Sequence, residues 1–368
     1  MSEEYLLNQI AASMIPGAGS VMVRKLIGIT GSPEALFSES KKNLFKIPQI
    51  PRHVVDNIYK KEFWNNAESE LEFIKAEDIN TTFFQEKDFP VRLNECYDSP
   101  VLLYHKGNID FNKRKIVSIV GTRKSSHYGS GMIEKIVKGL AESDPDTCIV
   151  SGLAYGIDIM AHKAAVRHNL DSLAVLAHGL DDLYPPKHKD TAVKMMEHGG
   201  LVTEYTKSTI PESHNFVKRN RIVAGISDVT LVIESGLKGG AMITANLAFS
   251  YNREVMAVPG NVGNYYSAGC NYLIKTQKAS VIESADDLLK LMNWDLKNKK
   301  KTVQKSLFVQ LKPDEEKIYN LLREYQTMSL NDIKILSELM ISQVSMALLN
   351  LEMEGLIKSL PGNMFTIA

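Results

Sequence analysis

HNFVKRNRIVAGISDVTLVIESGLKGGAMITAN, residues 214–246, decides how the rest of the chain is read. Its apolar run at 229–233 is short and β-rich, the pattern of a parallel strand buried on both faces. Ser235, Gly236, Gly239 and Gly240 then permit a tight turn, and residues 241–248 read as a helix. A glycine-rich turn feeding a helix N-terminus leaves backbone N–H groups unpaired at the positive end of the helix dipole, which is an anion site and most often a phosphate site. Phe216, which reads as exposed, and a cationic cluster of Lys218, Arg219 and Arg221 around Asn220 stand just upstream. Cations, an aromatic ring and a phosphate turn in one segment point to a phosphate chain that carries bases.

From residue 115 the pattern repeats as strand, loop and helix. Strands are predicted at 115–120, 148–150, 172–177, 201–203, 229–233 and 254–258, with helices near 128–142 and running through His168. That alternation predicts an α/β fold, an extended Rossmann-like, mostly parallel, doubly wound sheet. Small or polar residues cluster at the strand ends: Gly121 and Arg123, Ser151, Gly152 and Gly156, Ser235, Gly239 and Gly240, then Gly260. In such sheets ligands bind outside the carboxyl ends of the strands, so these groups are expected on one pocket rim. Gly152-x-x-x-Gly156 lacks the dinucleotide spacing, and Gly121-Thr122-Arg123 puts a bulky cation where a dinucleotide needs close backbone approach. Arg123 at a strand end is suited to clamp a phosphate.

Composition narrows the partner. Lys+Arg and Asp+Glu both number 43, so no global field draws the chain to nucleic acid and any such binding must be local. The three cysteines, Cys96, Cys148 and Cys270, have no metal spacing, and the segment around Cys148 reads as strand core, in keeping with a reducing cytoplasm. The N-terminus is acidic at Glu3 and Glu4, unlike a signal peptide, and no apolar run approaches membrane-spanning length. No metal, cofactor or membrane association is expected.

Four regions are expected: a small helical domain at 1–65, the Rossmann-like domain at 66–296, a basic linker at 297–312 with Lys297, Lys299, Lys300, Lys301 and Lys305, and a winged-helix domain at 313–368. In the first, Pro16-Gly17-Ala18-Gly19 between apolar helices has the form of a helix-hairpin-helix, whose Gly-x-Gly turn offers amides to a DNA phosphate; a small protein-interaction domain is the equal alternative. Residues 89–93 and 100–104 read as a lead-in hairpin or edge strand. In the last region, Ser329 is expected to cap a helix with Asp332 at its third position. Its third helix carries no Lys or Arg between 341 and 354, which favours protein contact over DNA reading.

The motifs VGTRKSSHYG (120–129), SGLAYGIDIMAHKAAV (151–166), LAHGLDDLYP (176–185), FVKRNRIVAGISDVTLVIES (216–235), KGGAMITANLA (238–248), VPG (258–260) and GCNYLIK (269–275) together resemble the DprA/Smf family of DNA-processing proteins of natural transformation. The resemblance covers about 115–280 and implies a cytoplasmic, dimeric, non-catalytic protein that binds single-stranded DNA and loads the RecA recombinase. Residue by residue it implies that Arg123 clamps phosphate, Phe216 stacks on a base, and Arg219, Asn220 and Arg221 bind backbone or order the loop. Amides near Gly152, Gly156, Gly239 and Gly240 would hold phosphates, Lys187 matches a pocket-rim lysine, and Lys218, Ser151, Ser235 and Thr244 complete the expected DNA-binding set. Many members carry a lysine three residues before the phenylalanine; here that residue is Ser213, for which Lys218 would have to compensate.

A rival of another class shares the Rossmann shape: the lysine-decarboxylase-like phosphoribohydrolases that cleave nucleoside monophosphates. Their Gly-Gly-x-Gly-Thr-x-x-Glu loop is not met by residues 239–246, which lack the glutamate. Asp158 and Glu204 remain as carboxylates near strand ends, with Asp158 expected to cap its helix and His162 and His178 expected to pack.

Overall fold

The computed structural model describes residues 2–294 and 311–368. The chain through Glu283 forms one unit and the chain from Ser284 a second. The large unit is built on nine strands: β1 (Asn80–Phe83), β2 (Leu102–Asn108), β3 (Lys115–Val120), β4 (Thr147–Ser151), β5 (Asp171–Val175), β6 (Gly199–Thr203), β7 (Val229–Val232), β8 (Glu254–Ala257) and β9 (Ser280–Val281). They lie in the order β1-β2-β6-β5-β4-β3-β7-β8-β9. From β6 to β9 neighbours are parallel, while β2 runs antiparallel to β6 and β1 antiparallel to β2.

The topology follows from where the helices take the chain. Helices His127–Ser143, Ile157–Arg167 and Lys189–Met195 carry it stepwise from β3 out to β6. Helix Ser213–Ile226 then returns it across the sheet to β7, on the other side of β3. Winding therefore reverses between β3 and β7, the point at which a doubly wound sheet opens a crevice. All six residues of β3 are buried, as a central parallel strand covered on both faces requires.

Two expectations are corrected here. Residues 89–93 do not form a strand: Pro90 starts the short helix Val91–Asn94, and Phe89 and Leu93 fill the main core. Nor is β2 an edge, since it is paired on both sides. The boundary expected at residue 65 falls inside helix Lys61–Ala76. The N-terminal helices share a core with β1 and β2, in which Ile10, Leu26 and Leu71 pack with Phe83, Leu102 and Tyr104. Buried Glu70 on that helix accepts the Lys207 amide at 3.1 Å, a second tie between the helices and the sheet.

In the second unit, helices Pro313–Tyr325, Leu330–Ser337 and Ile341–Met353 pack through Ile318, Leu322, Ile333, Val344, Leu348 and Leu351. A sheet of β10 (Thr327–Ser329), β11 (Ile357–Leu360) and β12 (Met364–Ile367), in the order β10-β12-β11, completes a winged helix. The Ser329 hydroxyl accepts the Asp332 amide at 3.2 Å, the expected cap. The basic linker expected at 297–312 lies, up to residue 310, outside the described residues.

Candidate nucleic-acid interface

Where β3 and β7 end, the chain opens a cavity of about 360 Å³. The β3 end is fixed by packing. A Cβ on Gly121 would lie 2.4 Å from the Ile157 side chain, and the Thr122 amide donates to the Glu234 carbonyl at 2.8 Å. Arg123 thereby emerges exposed at the rim, its guanidinium 5.3 Å from the centroid of the Phe216 ring. The β7 end is fixed by Glu234, whose buried carboxylate accepts the Ser126 amide at 2.9 Å and the Ser126 hydroxyl at 2.5 Å.

Helix Gly240–Ser250 starts at Gly239 with no side-chain cap. Gly239, Gly240 and Ala241 all line the cavity, so the first turn opens its amides toward it. The hydroxyls of this loop are committed to the chain: Ser235 donates to the Gly236 carbonyl at 2.9 Å and Thr244 to the Gly240 carbonyl at 3.2 Å.

Helix Ser213–Ile226 supplies the opposite wall. Asn215, Arg219, Ile222, Val223 and Ile226 are its buried face, at helical spacing. Arg219 therefore points inward, although it still lines the cavity. It is 3% exposed, donates to the Gly152 carbonyl at 2.7 Å and also binds the Val175 carbonyl. Arg219 thus locks the ends of β4 and β5 together. Burial lowers its pKa, and buried Asp158 opposes that shift. Phe216 is half-buried rather than exposed, with Tyr184 edge-on at 6.1 Å and Arg219 at 5.9 Å. Arg221 pairs with Glu204, whose pKa burial pushes up and Arg221 pulls down.

The expected residues divide into two groups. Arg123, Phe216, Arg219, Asn220, Ser235, Gly239, Gly240 and Thr244 line the cavity; Ser151, Gly152, Gly156, Lys187, Lys218 and Arg221 do not. Ser151 donates to the Ile119 carbonyl at 2.6 Å, and the Gly152 amide donates to Asp158 at 3.2 Å. Gly152 and Gly156 are close-packing glycines: added Cβ atoms would lie 2.2 Å from the Arg219 guanidinium and 2.3 Å from the Thr122 carbonyl. Lys187 is exposed in the 3-10 turn Pro186–His188. Lys218 lies exposed on the far side of its helix, lining a second cavity with Glu204 and Arg221. Ser213 does line the first cavity, so the lysine that the resemblance led one to look for at this position is a serine in the wall itself.

Asp158 departs from its expected role. Gly156 is the N-cap of its helix, and the Asp158 carboxylate reaches back to the Gly152 amide instead. Burial raises its pKa against the pull of Arg219. His162 is buried against the Ser172 hydroxyl at 2.8 Å, and burial pushes its pKa down to about 3. His178 bonds the Gly179 carbonyl at 2.8 Å and accepts the Tyr184 amide at 3.2 Å.

Lys238 and Tyr265 line the cavity and were missed in the sequence. Lys238 stands between Gly236 and the Gly239–Gly240 pair of the opening stretch, where a cation beside an anion turn was the available signal. With it, the lining charges are Arg123, Arg219 and Lys238 against Asp158, a cationic site on a chain of zero net charge.

Among the described residues no helix is long and apolar enough to cross a membrane. The chain matches the family model of the DNA recombination-mediator protein A over residues 80–293 and that of the DprA winged helix domain over residues 309–363. It is 37% identical over 201 residues to the DNA processing protein DprA of Streptococcus pneumoniae, covering 55% of this chain and 70% of that protein. It is 35% identical over 275 residues to a putative DprA of Mycobacterium tuberculosis, covering 74% of this chain and 70% of the relative. The crystal structure of the Streptococcus pneumoniae protein superposes with a TM-score of 0.66 at 28% identity, over 79% of this chain and 98% of that one. A Helicobacter pylori DprA structure, described for its single-stranded DNA binding mode, superposes with a TM-score of 0.53 at 27% identity, over 59% of this chain and 96% of that one. The doubly wound sheet, the winged helix and the matched sequence together place this chain in the DprA/Smf family of DNA-processing, recombination-mediator proteins.

Proposed function

We propose that this protein binds single-stranded DNA in the β3/β7 cavity and delivers it to the RecA recombinase during DNA uptake, acting as a homodimer and without catalytic chemistry. One observation carries the DNA-binding reading: three cations against one carboxylate, an uncapped helix N-terminus and aromatic rings meet at the sheet's switch point. Arg123 and Lys238 are the exposed cations and take phosphates, the amides after Gly239 take another, and Phe216 stacks on a base. Only a single strand offers unstacked bases to such a wall. A DprA relative described for its single-stranded DNA binding shares this fold, which supports the same ligand here. The recombinase, the dimer and a cytoplasmic location rest on family membership.

Fluorescence anisotropy of labelled poly-dT, titrated from low to moderate salt, tests the reading. Affinity falls about tenfold or more in Arg123→Ala, as expected for one charge-assisted contact. The log–log salt slope falls by about 0.7 for the phosphate no longer neutralised. Strong competition by a nucleoside monophosphate, with no binding of poly-dT, would overturn the reading in favour of a small-molecule site.

A further inference from the structure

Phe216 is already surrounded: two guanidinium groups lie within 6 Å of its centroid, Arg123 at 5.3 Å and Arg219 at 5.9 Å, and Tyr184 meets its edge. Across the same cavity Tyr265 is 67% exposed. It sits in the segment between β8 and helix Ala268–Lys275, far from the opening stretch in sequence, and is held in place by backbone. The Ser235 amide donates to the Tyr266 carbonyl at 2.7 Å, and the Asn264 side chain accepts the Tyr266 amide at 2.9 Å. Gly236 leaves room for the ring: a Cβ there would lie 2.9 Å from the Tyr265 ring. Tyr266 closes one edge at 5.3 Å.

An aromatic ring left largely in water, yet fixed against the strand-end loop of a cationic cavity, is a stacking platform without its partner. We infer that Tyr265 is a second stacking platform, taking another nucleobase of the bound strand opposite the Phe216–Arg123 wall, with Lys238 beside it for the adjoining phosphate. This inference rests on the single-strand reading of the cavity. Stacking uses the ring and not the hydroxyl.

The test is poly-dT binding by the full chain in three variants. Tyr265→Ala weakens binding between about 5- and 150-fold, with an unchanged salt slope and an unchanged melting temperature, because the side chain is mostly exposed. Tyr265→Phe binds as the wild type does. In Tyr265→Trp the introduced indole is quenched on titration with poly-dT, after subtraction of the wild-type signal from Trp64 and Trp294. Wild-type binding together with Tyr265→Ala affinity within twofold, or with no quenching in Tyr265→Trp, overturns the role of Tyr265 and leaves the cavity reading intact. Absence of wild-type binding to poly-dT overturns both.

Discussion

Replacing Arg219 separates a scaffold arginine from a DNA-contacting one. Its guanidinium, 3% exposed, holds the Gly152 and Val175 carbonyls and faces the buried Asp158 carboxylate. Arg219→Ala orphans both carbonyls, at about 1–3 kcal/mol each, and removes the opposite charge near buried Asp158, a loss of about 3–5 kcal/mol in all. A unit that runs through Glu283 responds with roughly 2 °C per kcal/mol, so the melting temperature drops about 6–10 °C. Arg219→Lys is intermediate: an ammonium can donate to both carbonyls as Nη1 does, but it lacks the Nε–H that bonds the Asn220 side chain at 3.3 Å. Arg219→Met combined with Asp158→Asn recovers part of the loss, because no charge is then left buried alone. Differential scanning calorimetry reads the melting temperature and anisotropy reads poly-dT binding. An Arg219→Ala protein that melts within 2 °C of wild type yet no longer binds poly-dT would refute the scaffold role.

Gly156→Ala places a Cβ 2.3 Å from the Thr122 carbonyl at a φ of +78°, and urea denaturation should show a loss of more than about 1 kcal/mol. For His162 the folded pKa of about 3 lies below the ordinary value of 6.5, so the unfolded chain binds the extra proton. Stability is then complete above pH 6.5 and falls as pH drops toward 3, by roughly 2 kcal/mol between pH 7 and pH 5. Melting curves at the two pH values should show that loss in the wild type and a smaller one in His162→Asn.

The sheet was legible because its period is local. Residues 115–120 and 229–233 are apolar runs closed by glycine, and each needs only its own neighbours to be recognised as a buried strand. The cavity was legible to the same extent, since Gly121 and Arg123 follow one such strand directly and Gly239 ends the short turn after the other. What escaped depended on contacts distant in sequence. Arg219 reads as one of three clustered cations until the carbonyls of Gly152 and Val175 are known to lie beneath its helix face. Residues 89–93 alternate like a strand, but Phe89 and Leu93 pack into the main core from a turn that Pro90 begins. Tyr265 comes to the cavity through a bond between Ser235 and Tyr266, which no local pattern announces.

The core shared between the N-terminal helices and the first two strands has a practical bearing on fragment design. The family region begins at residue 80, an inviting place to start a shortened clone. Such a fragment would keep every cavity residue, yet it would bare Phe83, Leu102 and Tyr104, all 2% exposed or less in the intact chain. The bared surface would lie beside β1, an edge strand with an unpaired backbone rim. Apolar surface next to an open edge invites intermolecular pairing. The helices before residue 80 thus serve as a lid on the apolar end of the sheet, and a usable minimal fragment includes them.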